Sequence, residues 1–325
     1  MKIGNLHIKE PFIAFAPMED VSDIVFRKIC KRYGASMVYT EFVASDGIIR
    51  NVGSSLDKMK FTEEERPIGI QIFGNDEKAL SLAAQKAEEF KPDVIDINFG
   101  CPVKKIASKG AGSGIMKYPD KMIALTKSVV DAVQIPISVK TRLGYDENNK
   151  NIVEIAERLQ DVGIQALCIH GRTKAQLYKG KADWTLIGEV KNNPRMHIPI
   201  IGNGDIDSSS TAKKCFDKYG VDGIMIGRAA IGNPWIFREV KEFLLNNKII
   251  SSPNIQEKVS VCREHLELSI KEKGEKRGIN EMRKHYSNYF KSLAGIKEIR
   301  MKLMTENKYE AISLLLDEIR EKYSD

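Results

Sequence analysis

The 325-residue sequence has no apolar run near the roughly 20 residues needed to cross a bilayer, which excludes a helical membrane span. Paired cysteines are also lacking. The five present, Cys30, Cys101, Cys168, Cys215 and Cys262, are odd in number, widely spaced and contain no CxxC, which disfavours a disulfide framework and a zinc site. A reducing, cytoplasmic setting fits that usage. The N-terminal MKIGNLHIKEP has no uninterrupted apolar region and no small-residue cleavage site, so export is not expected. No GxGxxG turn follows the first apolar run, which removes the usual dinucleotide fingerprint. No metal is expected, and nothing calls for an obligate protein partner.

Short apolar, β-branched runs recur along the chain: FIAFAPM, MVYTEFV, IGIQIFG, VIDINFG, ISVKTRL, ALCIHGR, PIIGNGD and GIMIGRA. Between most of them lie stretches with helical spacing, such as DEKALSLAAQKAEEF and NIVEIAERLQDVG. Eight such units predict an α/β fold of the closed TIM (β/α)8 type over an open doubly wound sheet, which usually has fewer strands. Polar residues gather at the C-terminal ends of the runs, where a barrel builds its active site.

The pattern changes at Ser251-Ser252-Pro253. Beyond it, EKVSVCREHLELSIKEKG, INEMRKHYSNYFKSLA and KYEAISLLLDEIREKY read as helices, so residues 1–250 are expected to form the barrel and 251–325 a small all-helical domain. Net charge is +7, and between Lys271 and Lys302 ten Lys or Arg stand against four Glu, with Tyr286, Tyr289 and Phe290 interleaved. That density suits a polyanionic partner.

GNGD at 202–205 and IGR at 226–228 place glycine turns at the ends of the seventh and eighth runs, a frequent phosphate site in barrels, with Arg228 as a charged grip. Lys140 and His170 interrupt mostly apolar strands, and burying them requires an anionic or hydrogen-bonding answer. A flavin is one candidate, with Lys140 facing the reduced ring's negative edge, Gln71 bonding the pyrimidine and Met18 packing on the ring. A structural ion-pair set is the other.

APM at 16–18, DINFGCP at 96–102, VKTRLG at 139–144, IHGRT at 169–173, NGDI at 203–206 and IGRAAIGNPWIF at 226–237 resemble the tRNA-dihydrouridine synthases, in family order and spacing. The RKH at 283–285 resembles the bacterial B-type branch. The resemblance implies an enzyme that uses FMN, re-reduced by NADPH, to reduce the C5–C6 double bond of a uridine in the D-loop of tRNA. It implies Pro17, Met18, Glu19, Gln71, Lys140, His170, Asn203, Gly204, Asp205, Gly227 and Arg228 as the FMN site, and Cys101 as proton donor. Asn98 and Arg172 would meet the uridine or its phosphate. Lys104, Lys105, Arg283 and Lys284 would meet tRNA, with the helical domain as its dock.

Hydride added at uracil C6 leaves an enolate that needs a proton at C5, and a thiol with an ordinary pKa of about 8.5 carries one at neutral pH. The acid-free lysine loop from Lys104 to Lys117 should therefore address RNA phosphates while standing away from the sulfur. Two positions depart from the family pattern: Glu19-Asp20, where small residues are usual, and Asn288, where Trp is usual. Two other readings remain: an FMN barrel acting on a free pyrimidine, as in dihydroorotate dehydrogenases, and an RNA-binding protein that has lost catalysis.

Overall fold

The protein, a computed structural model, is described over residues 1–9, 11–291 and 293–324. Eight parallel strands form a barrel: β1 (Phe12–Phe15), β2 (Val38–Tyr39), β3 (Ile68–Phe73), β4 (Val94–Asn98), β5 (Ile137–Arg142), β6 (Ala166–His170), β7 (Ile200–Asn203) and β8 (Gly223–Ile226). They pair in chain order from β2 to β8, and β8 pairs with β1, Gly223 opposite Phe12. A parallel bridge between Ala14 and Met37 completes the ring, with the Phe15 N–H donating to the Met37 carbonyl at 2.9 Å. The barrel expected from the eight apolar runs is therefore present.

The second run, MVYTEFV, is a broken strand. Val38–Tyr39 pairs with Ile68 and Gly69, while Val43–Ala44 pairs further along with Ile72 and Phe73. At the break, Thr40 Oγ1 accepts the Gln71 N–H at 3.1 Å, a side chain standing in for a ladder carbonyl.

Strand alternation decides what fills the barrel. Phe12, Ala14, Met37, Tyr39, Val94, Ala166, Cys168, Ile201 and Met225 form one interior cluster. Their neighbours Ile13, Phe15, Ile95, Ile97, Val139, Leu167, Ile169 and Ile224 face outward into a larger layer under the helices. Gly69 and Gly223 make room for the interior rings, because a Cβ at either would lie 2.5 Å from Tyr39 or Phe12.

The outer layer contains α1 (Ile24–Arg32), α2 (Glu77–Glu89), α3 (Pro119–Val130), α4 (Ile152–Asp161), α5 (Thr185–Asn192), α6 (Ser209–Tyr219) and α7 (Ile236–Asn246). Asp23 and Asp76 cap α1 and α2, each accepting a backbone N–H at 2.8 Å. Four helices follow: α8 (Ile255–Lys273), α9 (Glu275–Tyr289), α10 (Lys297–Thr305) and α11 (Tyr309–Lys322). The sequence pattern predicts three of them. It does not reveal α10, whose buried residues are only Ile299 and Leu303, too short a stripe to show a period. The second expected helix stops at Tyr289, before Ser292, which lies outside the described residues.

The helical segment packs on α1. The His265 ring stacks on Phe26 at 5.0 Å, His285 meets the same ring edge-on at 4.6 Å, and Lys273 pairs with both Asp23 and Glu281. Apolar residues of both regions join one continuous core. Among the described residues no helix is long and apolar enough to cross a membrane.

Candidate active site at the barrel mouth

Inward-facing residues at the C-terminal strand ends rise above the interior cluster into a cavity of about 800 Å³. Asn98 ends β4, Lys140 and Arg142 end β5, His170 ends β6 and Asn203 ends β7, and all five line it. Ala16, Pro17 and Met18 after β1 and Gly227 and Arg228 after β8 complete that wall.

Asn203 organises the cationic side. Its Nδ2 donates to the Met225 carbonyl at 2.7 Å, so its Oδ1 must face Lys140 Nζ at 3.1 Å and His170 Nδ1 at 2.9 Å. Nδ1 of His170 therefore carries the proton and Nε2 is left as an acceptor. That Nε2 is buried and has no hydrogen-bond partner among the described residues. Burial, reinforced by the charges of Lys140 and Arg142, holds His170 well below the ordinary imidazole range, so the ring is neutral. Burial also lowers the Lys140 pKa.

Cys101 sits just past β4 and is 8% exposed. Asn98 Oδ1 accepts the N–H groups of Gly100 and Cys101 at 2.9 and 2.8 Å, which fixes the turn. The lysine loop folds back as a helical turn, Lys104–Ala107, and a 3-10 turn, Gly112–Lys117. Gly114 is required there, since a Cβ would lie 2.1 Å from the Ala107 carbonyl oxygen. Burial pushes the Cys101 thiol up, and the charges that pull it partly back are Arg142 and Lys140. Lys104, Lys105 and Lys109 of the loop are exposed.

Sequence reasoning did not single out Arg142 or Tyr178. Arg142 Nε donates to the Gly100 carbonyl at 2.7 Å, and its Nη1 donates to the carbonyls of Thr173 and Leu177 at 3.1 and 2.9 Å. Burial pulls its pKa down to about 10. The signal was available: Arg142 lies two residues after Lys140 on one strand and so faces the same way. Tyr178, exposed at the mouth, has the guanidinium groups of Arg228 and Arg142 at 5.0 and 5.7 Å from its ring centre. It lies on an irregular loop with no period to mark it.

Other expected residues stand elsewhere. Gln71 is fully buried beneath the cavity rather than in its wall, with its amide bonded to Asp96 and Asn98. Arg172 is buried too, clamping the loop that carries Tyr178 through bonds to the Lys179 and Gly180 carbonyls and to Asp205 at 2.6 Å. Asp205 also holds Arg228 at 3.2 Å. Glu19 lines the rim but pairs with Lys58. Arg283 is turned to the Glu306 carbonyl and Asn307 within the helical segment, while Lys284 donates to the Asp20 carbonyl at 2.6 Å. Asn288 and Lys291 reach the cavity edge from that segment.

The wall fits a flavin. An orphaned acceptor on His170, a cation at Lys140 and the apolar face of Met18 suit a ring system with an N–H donor and an electron-rich edge. Gly204 at φ 126 and Gly227 beside Arg228 suit a phosphate tail.

The pattern that defines the dihydrouridine synthase (Dus) family matches residues 14–323. The tRNA-dihydrouridine synthase B of Vibrio vulnificus is 41% identical over 325 residues, covering 100% of this chain and 99% of that one. A probable tRNA-dihydrouridine synthase 1 of Synechocystis sp. is 39% identical over 319 residues, covering 98% and 88%. The solved structure of histamine dehydrogenase from Rhizobium sp. 4-9 superposes with a TM-score of 0.56 at 14% identity, covering 74% of this chain and 47% of that one, a likeness of fold. The matched span takes in every barrel strand except the first two residues of β1, and all four terminal helices: the chain belongs to the dihydrouridine synthase family.

Proposed function

We propose that the protein reduces the C5–C6 double bond of a uridine in the D-loop of tRNA to 5,6-dihydrouridine in the cytoplasm, with FMN as cofactor and NADPH as reductant. The observation that carries this reading is that Cys101 shares one cavity with Lys140, His170 and Asn203. Pro17, Met18, Lys140, His170, Asn203, Gly204, Gly227 and Arg228 would hold FMN, with Asp205 and Glu19 setting the rim through their ion pairs. Bound and reduced, it supplies the hydride for uracil C6.

Hydride addition leaves negative charge over uracil C5 and O4, and Cys101 Sγ–H delivers the proton to C5. An ordinary thiol pKa of about 8.5 already favours the protonated form, and burial raises it further. The thiolate formed takes a proton back from water. Lys140 offsets the charge in the pocket, and Asn98 has a second amide N–H for the uracil edge. Drawing the base out of its stack costs a few kcal/mol. Residues 251–325, with Lys284 and Lys291, and the loop bearing Lys104 and Lys105 supply phosphate contacts that offset it.

A free pyrimidine would need no such basic platform beside the mouth. Mass spectrometry of tRNA from cells lacking this gene tests the proposal. One uridine should no longer carry its two added hydrogens, and unchanged tRNA would overturn the reading.

A further inference from the structure

A polar relay runs through the barrel interior beneath the cavity. Asp96 is 1% exposed; its Oδ1 accepts the Ser138 hydroxyl at 2.5 Å and its Oδ2 accepts Gln71 Nε2 at 2.6 Å. Gln71 Oε1 accepts Asn98 Nδ2 at 2.8 Å, and Asn98 Oδ1 accepts the N–H groups of Gly100 and Cys101. An amide is nearly the same shape with its ends exchanged, but a carboxylate only accepts. Asp96 therefore makes Gln71 turn its nitrogen inward, which leaves Oε1 for Asn98. Asn98 in turn must give Nδ2 to Gln71, which leaves Oδ1 for the turn. Reversing either amide sets donor against donor in a buried layer.

We infer that Asp96 is a positioning residue that sets the direction of the Gln71 and Asn98 amides and so seats the turn presenting the Cys101 thiol. Its consequence for turnover rests on the proposed proton-donor role of Cys101; the seat itself does not. Lys140 on the adjacent β5, with Tyr39 on β2 and Cys168 on β6 one strand further round, are titratable groups that face Asp96, and Lys140 is the cation that favours its charged form. Burial raises its pKa to about 6, while the bonds from Ser138 and Gln71 and the charge of Lys140 favour the ionised form.

The test compares Gln71→Glu, Asp96→Asn and the double variant in the purified flavin-containing protein. Two readouts are taken across pH: turnover on tRNA, and the rate of Cys101 alkylation by iodoacetamide relative to wild type, located by peptide mass spectrometry. Gln71→Glu sets two carboxylates in contact, which coexist by sharing a proton. Protonated, the new side chain donates to Asp96 and keeps the wild-type direction, so the variant should approach wild type in acid. Above neutral pH it should lose about tenfold in turnover, with the alkylation ratio departing over the same range.

In the double variant the amide introduced at position 96 donates to the ionised carboxylate introduced at position 71, which should abolish the new pH dependence and restore turnover to within about threefold. Asp96→Asn alone should be mild, since its amide can serve both Gln71 and Ser138. A Gln71→Glu profile like wild type, or a double variant no better than Gln71→Glu, overturns the relay. If Gln71→Glu does not accumulate, Asn98→Asp carries the same test. The reversal then passes through Gln71, and Asp96→Asn should rescue the alkylation ratio although the two residues share no bond; no rescue overturns the relay. Retained turnover in Cys101→Ala would remove the proton-donor role and leave the alkylation result standing.

Discussion

The carbonyl oxygen of Cys101 accepts both the backbone N–H and the hydroxyl of Ser113, at 3.0 and 2.9 Å. The loop that bears the lysines is thereby tied to the residue that bears the thiol. Ser113→Ala removes one of the two bonds, a loss of about 1 kcal/mol. We expect kcat/KM on tRNA to fall about fivefold with flavin content unchanged; an unaltered kcat/KM would show that the loop and the thiol are not coupled.

Cys101→Ala should keep its yellow colour and its affinity for tRNA while turnover on unmodified tRNA drops by about a hundredfold or more, the usual scale for removing a positioned acid. Full activity in this variant would remove the thiol from the reaction.

The pH profile follows from the same group. Burial raises the Cys101 pKa, so the proton to be donated is present through neutral pH and is lost only as pH rises beyond the ordinary thiol range. Turnover should be flat across neutral pH and decline on the alkaline side. A decline beginning below neutral pH would contradict a raised thiol pKa.

Much of this site was legible in the sequence because a barrel strand repeats every two residues. His170 and Asn203 end their strands and Lys140 lies two residues before the end of β5, all three in the inward register, so a period of two and nearness to a strand end sufficed to bring them together. Gln71, like Lys140, lies two residues before the end of its strand, yet it sits one layer deeper, because it pairs across from Asp96 whereas Lys140 pairs across from Asn98. How far a residue stands from the mouth depends on strand stagger, which no single run reveals. Arg172 shows a different limit. Its motif marked it as important, but besides Asp205 its partners are loop carbonyls at Lys179 and Gly180, which have no pattern to read.

The junction between barrel and helical segment makes a stability prediction. Burial holds His265 down to about 4, and His285 is held well below its ordinary range for the same reason. A depressed pKa contributes stability above the unfolded value of about 6.5, and that contribution is lost as pH falls towards the folded value. For His265 this amounts to about 3 kcal/mol between those limits. Calorimetry should show the melting temperature falling through this window, and His265→Gln should flatten the fall. Equal slopes in the two proteins would place the acid sensitivity elsewhere.

Replacing Lys104 and Lys105 together by Ala should weaken tRNA binding at all sequences alike and reduce the slope of log affinity against log salt by about 1 to 2. An unchanged slope would mean that these exposed lysines meet only solvent.

The reaction assigned to this barrel is the reduction of a uridine in tRNA. Purified protein incubated with unmodified tRNA and NADPH, followed by position-mapped mass spectrometry, tests it most directly. One D-loop uridine should gain two hydrogens, and the gain should be lost in Cys101→Ala. A flavin-loaded protein that oxidises NADPH yet leaves every uridine unchanged would contradict it.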